Sequence, residues 1–184
     1  YEEAQEIIES QSGELAEEIL NVHNLSQVLR KQRFDNHAIN FETEEVKFKL
    51  DENSKPIGVY LKVQKEANFL IEEMMLLANR RVAEKIGKKS SKNKEIKTFV
   101  YRVHDEPIED KLATFKNFVG KLGYDLQAGN RKQFTESLNK MLEAAKEKNE
   151  YGLLGKLSVR IMARAIYTTD NIGHFGLAFP YYTH

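Results

Sequence analysis

Residues Glu66 to about Ile86 read as one long helix that is apolar over most of its circumference, and such a helix belongs in the middle of a fold. One stripe runs Leu70, Met74, Ala78, Val82 and Ile86; a second runs Phe69, Glu72, Leu76, Asn79 and Ala83. Only the strip with Glu73, Arg80 and Glu84 reads as solvated. Glu72 and Asn79 therefore fall on a face whose other members are hydrophobic. A carboxylate there must be paired, hydrogen-bonded or protonated, because burying it bare is costly.

The neighbouring segments supply what this helix packs against. Before it, Val46, Phe48 and Leu50 alternate with charged residues, as do Ile57, Val59, Leu61 and Val63 among their neighbours, around the polar turn Asp51 to Pro56. That pattern predicts a hairpin with one buried face. Further upstream, a short acidic helix ends near Gln11-Ser12-Gly13, and Leu15, Ile19, Val22 and Leu29 recur at helical spacing until the polar stretch 31–37. Beyond the central helix, Phe99, Tyr101 and Val103 alternate as a short extended piece.

Three amphipathic helices follow. Ile108, Leu112, Phe115, Val119 and Leu122 form the stripe of the first, with Pro107 in its opening turn and Gly123 as its C-terminal cap. Asn130 caps the second, whose face is Phe134, Leu138, Met141, Leu142 and Ala145. Leu154, Leu157, Ile161 and Ala165 define the third, and the Gly- and aromatic-rich tail from Asp170 reads as extended. The expected class is α+β and mainly helical, with several amphipathic helices on a small antiparallel hairpin.

Charge limits the partners. Lys+Arg and Asp+Glu both number 28, so no global field draws the chain to nucleic acid and any RNA contact must be local. The chain has no cysteine, which excludes disulfides, thiolate zinc sites and a cysteine nucleophile. No apolar run reaches membrane-spanning length and no leader opens the chain, so a cytoplasmic setting without membrane contact is expected. Tyr1 in place of Met and the aromatic run before His184 read as cut ends. Apolar faces left open by such cuts are expected to drive self-association. The stretch 85–97 holds six lysines without interleaved aromatics, the composition of a solvated loop rather than an RNA site.

Several blocks, in order, carry a resemblance. They are Ile39-Asn40-Phe41-Glu42 with the hairpin after it, Leu70 to Asn79, Tyr101-Arg102-Val103-His104 with Pro107, Arg164-Ala165-Ile166-Tyr167, Gly173-His174-Phe175-Gly176-Leu177-Ala178, and Tyr182-Thr183-His184. Together, over residues 39–184, they resemble the catalytic (RNB) domain of the ribonuclease II/ribonuclease R family, and the last two lean toward the ribonuclease R branch. The expected organisation is then one segment of that domain, residues 1–184, incomplete at both ends.

The resemblance implies 3′-to-5′ hydrolysis of single-stranded RNA to nucleoside monophosphates, assisted by divalent metal, expected to be Mg2+. Magnesium needs a cluster of carboxylates beside the scissile phosphate. The family's aspartate cluster lies N-terminal to the matched region, and Asp35, Asp51, Asp105, Asp110, Asp125 and Asp170 are scattered here. The family's catalytic arginine, which stabilises charge on the phosphate, falls just past His184. This piece alone is therefore expected to be inactive and to hold no metal. What the resemblance leaves in the chain is support: Glu72 near the RNA 3′ end, Phe41 stacking on a base, and His174 in a glycine loop shaping the channel wall. Arg102 and His104 could reach phosphates, although structural pairing is the commoner use of such residues. Two other readings stay open: a non-catalytic single-stranded RNA-binding module, and a helical interaction domain.

Overall fold

The computed structural model describes residues 1–41, 45–88 and 97–184. Its elements are α1 (Glu2–Ser10), α2 (Ala16–Asp35), β1 (Glu45–Leu50), β2 (Pro56–Lys62), α3 (Glu66–Gly87), β3 (Tyr101–Val103), α4 (Glu109–Lys121), α5 (Arg131–Ala145), α6 (Tyr151–Ile161) and β4 (Ile166–Thr168). The α+β, mainly helical class follows, with two separate two-stranded antiparallel sheets, β1-β2 and β3-β4. Lysines 89, 92 and 94 of the lysine-rich stretch, and Glu42 of the first matched block, lie outside the described residues.

Helices α4, α5 and α6 build the main core. Phe115, Val119, Leu138, Met141, Leu142 and Leu154 are all buried together, as their stripes predict. Asn130 caps α5 through a reciprocal box: its Oδ1 accepts the Gln133 N–H at 3.0 Å, and Gln133 Oε1 accepts the Asn130 N–H at 3.2 Å. Gly123, at φ 84°, closes α4 in the left-handed region that glycine adopts without strain. Ala165, assigned by spacing to the third helix, lies past the end of α6.

Helix α3 sits where its apolar character requires, but with a different face inward. Ala67, Leu70, Glu73, Leu76 and Ala83 are buried, whereas Ile71, Met75 and Val82 are exposed. Glu73 is only 2 % exposed, so its assignment to a solvated strip is corrected. The cause is α2, which packs along that side of α3 and lays Arg33 over it. Helix α1 contributes as well: Gln5 Oε1 accepts the Ala67 N–H at 3.0 Å and satisfies a free donor in the first turn of α3.

The hairpin forms as the alternation predicts, in the register Val46↔Leu61 and Phe48↔Val59, with a bulge at Lys49/Leu50. Asp51 Oδ1 accepts the N–H groups of Asn53 and Lys55 and shapes the turn. Its apolar side is not buried, however: Phe48 is 62 % and Val59 64 % exposed. Alternation fixes which side chains share a face, but burial needs a second layer, and among the described residues none lies across this one.

The C-terminal tail is not simply extended. It pairs through β4 with β3 (Arg102↔Tyr167), folds through a turn at Ala178, and runs back so that Tyr182 O accepts the Arg102 N–H at 2.9 Å. No helix among the described residues is long and apolar enough to cross a membrane.

Candidate nucleic-acid cleft

A cleft of about 1180 Å³ opens between α2-α3 on one side and the end of α6 on the other, with the tail beneath. Residues 41, 72 and 174, the three singled out in the sequence, all line it. So do six cations: Arg30, Arg33, Arg102, Lys111, Arg160 and Arg164. Glu72 supplies the one carboxylate among the described lining residues. A chain of zero net charge thus gathers a local positive surface. Arg102, Lys111, Arg160 and Arg164 have no carboxylate partner among the described residues. Arg102 lies over the Tyr167 ring at 4.6 Å, held there by the β3-β4 pairing.

Phe41 is positioned by a clamp that sequence reasoning missed. Asn139 of α5 donates from Nδ2 to Ala38 O at 2.9 Å and accepts the Asn40 N–H on Oδ1 at 3.0 Å. The two bonds imitate a strand partner for residues 38–40, while the Ile39 N–H bonds Gly176 O at 2.9 Å. Phe41 is half-buried against the helical core, with its remaining surface toward the cleft. An asparagine on the polar edge of an amphipathic helix gives no sign of such a role.

The histidine loop is built by backbone pairing. The His104 N–H bonds Gly173 O at 3.0 Å, and the Phe175 N–H bonds His104 O at 2.8 Å. These bonds bring the two imidazoles together, with ring centres 4.9 Å apart and planes tilted by 34°. Both glycines of the motif let the chain approach closely. Gly173 has φ 80°, and a Cβ there would meet Phe179 O at 3.1 Å. At Gly176 a Cβ would crowd His104 Nδ1 at 3.3 Å, the same atom that accepts the Gly176 N–H at 2.9 Å.

Neither histidine is a cation at neutral pH. His104 Nδ1 and His174 Nδ1 each accept a backbone N–H, from Gly176 and Leu177, which leaves the proton on Nε2. Burial, then the neighbouring His104 and Arg102, push the His174 pKa down to about 4. Burial also lowers that of His104. In the unfolded chain each imidazole protonates near its ordinary value of about 6.5. Between pH 6.5 and 4 the unfolded chain therefore binds protons that the folded chain refuses. The contribution of these two histidines to stability should be intact above pH 6.5, drain as the pH falls toward 4, and level off below. Urea midpoints measured across that range check this, and His174→Gln should flatten the curve; an unchanged slope would count against it.

Glu72 is half-exposed on the cleft wall and accepts one bond, from Arg33 Nη2 to its Oε1 at 3.1 Å. It is paired, as a carboxylate among apolar neighbours must be. The buried acid is its neighbour Glu73, bonded by both Nε and Nη2 of Arg33. Asn79, the other polar residue on the apolar face, meets the Tyr182 hydroxyl.

The magnesium implied by the resemblance does not fit these residues. Among the described residues no three His, Asp or Glu side chains converge, and Glu72 stands among cations.

Helices around two small sheets, opening on an arginine-lined cleft with aromatic walls, define an α+β domain suited to a polyanion. The profile of the RNB domain matches residues 1–184, and the chain belongs to that family. Ribonuclease R of Vibrio cholerae is 37% identical over 163 residues, 89% of this chain and 19% of the relative. Ribonuclease R of Thermotoga maritima is 35% identical over 190 residues, covering all of this chain and 26% of its own length. The chain thus spans about a fifth to a quarter of those relatives. Mycoplasma genitalium RNase R, in complex with ribose-methylated single-stranded RNA, superposes on the whole chain with a TM-score of 0.83 at 25% identity, over 29% of that structure.

Proposed function

We propose that residues 1–184 form one segment of an RNB exoribonuclease domain and hold single-stranded RNA for cleavage from its 3′ end. The observation that carries this reading is the convergence of Phe41, Glu72 and His174 with six cations in one cleft. Arg102, Lys111, Arg160 and Arg164, which have no carboxylate partner among the described residues, bind phosphates, which every RNA sequence presents. Phe41 stacks on a base, Glu72 stands near the 3′-terminal nucleotide, and the His174 loop forms the wall. Arg102, doubtful as a phosphate ligand by its sequence context alone, is well placed as one, because a tyrosine ring rather than a carboxylate supports it.

Hydrolysis itself belongs to the rest of the domain. The metal and the aspartates that bind it, like the arginine that stabilises charge on the phosphate, are not supplied by the residues of this cleft. The test is to incubate 5′-labelled single-stranded RNA and magnesium with this chain, beside a longer protein carrying both flanks of the domain. Shortening from the 3′ end by the longer protein alone is expected. Shortening by this chain would place a metal site among its own carboxylates, and shortening by neither would favour the non-catalytic RNA-binding reading.

The exposed apolar side of the hairpin, with Leu25 and Val28 of α2 and Ile71 of α3 also exposed, suits packing against further protein. The isolated chain is expected to self-associate through these patches. Sedimentation at rising concentration should reveal it; a strictly monomeric profile would count against open core faces.

A further inference from the structure

The adjacent acids Glu72 and Glu73 share one arginine in very different settings. Arg33 and Glu73 are almost wholly buried, with side chains 5 % and 3 % exposed, while Glu72 keeps 35 %. Arg33 Nε donates to Glu73 Oε1 at 3.0 Å, and its Nη2 reaches both Glu73 Oε1 and Glu72 Oε1. The guanidinium also lies over the Phe34 ring at 4.9 Å, so its plane is held on a further side. A glutamate on a cleft wall would otherwise sample many rotamers.

We infer that Arg33 is a positioning residue: neutralised and fixed by Glu73, it holds one oxygen of Glu72 and thereby aims the carboxylate into the cleft. Glu72 Oε2 has no protein partner among the described residues and is left for the nucleic acid. A guanidinium suits this task because its donors are coplanar and directed, so one side chain serves two acceptors at a set angle. Arg33 itself touches no reacting atom. Helix α2, which lies before the matched sequence blocks, thus becomes part of the site. The inference rests on the reading that Glu72 meets RNA.

Two measurements test it on the intact chain. First, nitrogen-15 NMR follows rotation of the Arg33 guanidinium in wild type and in Glu72→Ala. Faster rotation in the variant is expected, and unchanged rotation overturns the contact. Second, anisotropy of a fluorescein-labelled oligoadenylate gives RNA affinity for wild type, Glu72→Ala, the apolar replacement Arg33→Met/Glu73→Met, and all three substitutions together. The paired replacement is used because removing Arg33 alone strands a buried carboxylate; thermal unfolding checks that it remains folded.

Glu72→Ala and the paired replacement should each weaken binding about fivefold, the scale of one hydrogen bond. Combined, they should weaken it no more than about fivefold, because Arg33 acts through Glu72. Multiplying losses, or a paired replacement without effect, overturns the inference. If Glu72→Ala binds like wild type while guanidinium rotation does speed up, the functional reading of Glu72 has failed, and Arg33 is structural only.

Discussion

Replacing Arg33 with alanine should lower the unfolding free energy by about 3–5 kcal/mol, because it leaves Glu73 charged, buried and unpaired. Glu73 cannot turn to water while α2 covers it, since a helix shift there would open the α2-α3 packing. Arg33→Lys should recover only part of the loss, because an ammonium lacks the fork that engages two acids from one position. Arg33→Met with Glu73→Met should recover most of it, since an apolar pair of similar size carries no desolvation cost. Equilibrium urea unfolding distinguishes these cases. A loss below about 1 kcal/mol for the alanine variant would mean that Glu73 reaches water, and its burial would need another explanation.

The second large effect concerns the cleft. Exchanging Arg102, Arg160 and Arg164 together for alanine should cut single-stranded RNA affinity steeply and reduce its salt dependence. Each lost phosphate contact removes about 0.7 from the slope of log affinity against log salt, so the slope should fall by roughly two. Phe41→Ala should behave differently. A lost stacking contact costs about 1–3 kcal/mol and leaves the slope in place. Anisotropy titrations at several salt concentrations separate the two signatures. Equal slopes in wild type and the arginine variant would show that the cations do not meet phosphate.

Much of the fold was legible because helical stripes report burial directly. The faces of α4 and α5, the Asn130 cap and the turn glycine Gly123 all follow from residue type and spacing. Glu72 and Glu73 show where that legibility ends. Adjacent helical residues lie about 100° apart, and on a helix apolar nearly all round, only the neighbour decides which acid is covered. That neighbour was Arg33, on a helix with little pattern of its own. The hairpin shows a related limit, since its alternation is clear but the layer that would cover it is not among the described residues. The cleft was half legible. Phe41, Glu72 and His174 came from the motifs, whereas the cations come one or two at a time from separate elements and leave no run in the sequence. In the one visible run, the lysines of 85–97, none of the described members lines the cleft.

The Asn139 clamp and the tail's bonds to residues 39 and 102–104 also dictate an order of assembly. The cleft draws its walls from residues 30–41, 64–72, 102–111 and 159–177, and its base is stitched in place by the last of these to leave the ribosome. A growing chain therefore has helices long before it has a cleft, because closing such distant contacts waits for residues 159–177.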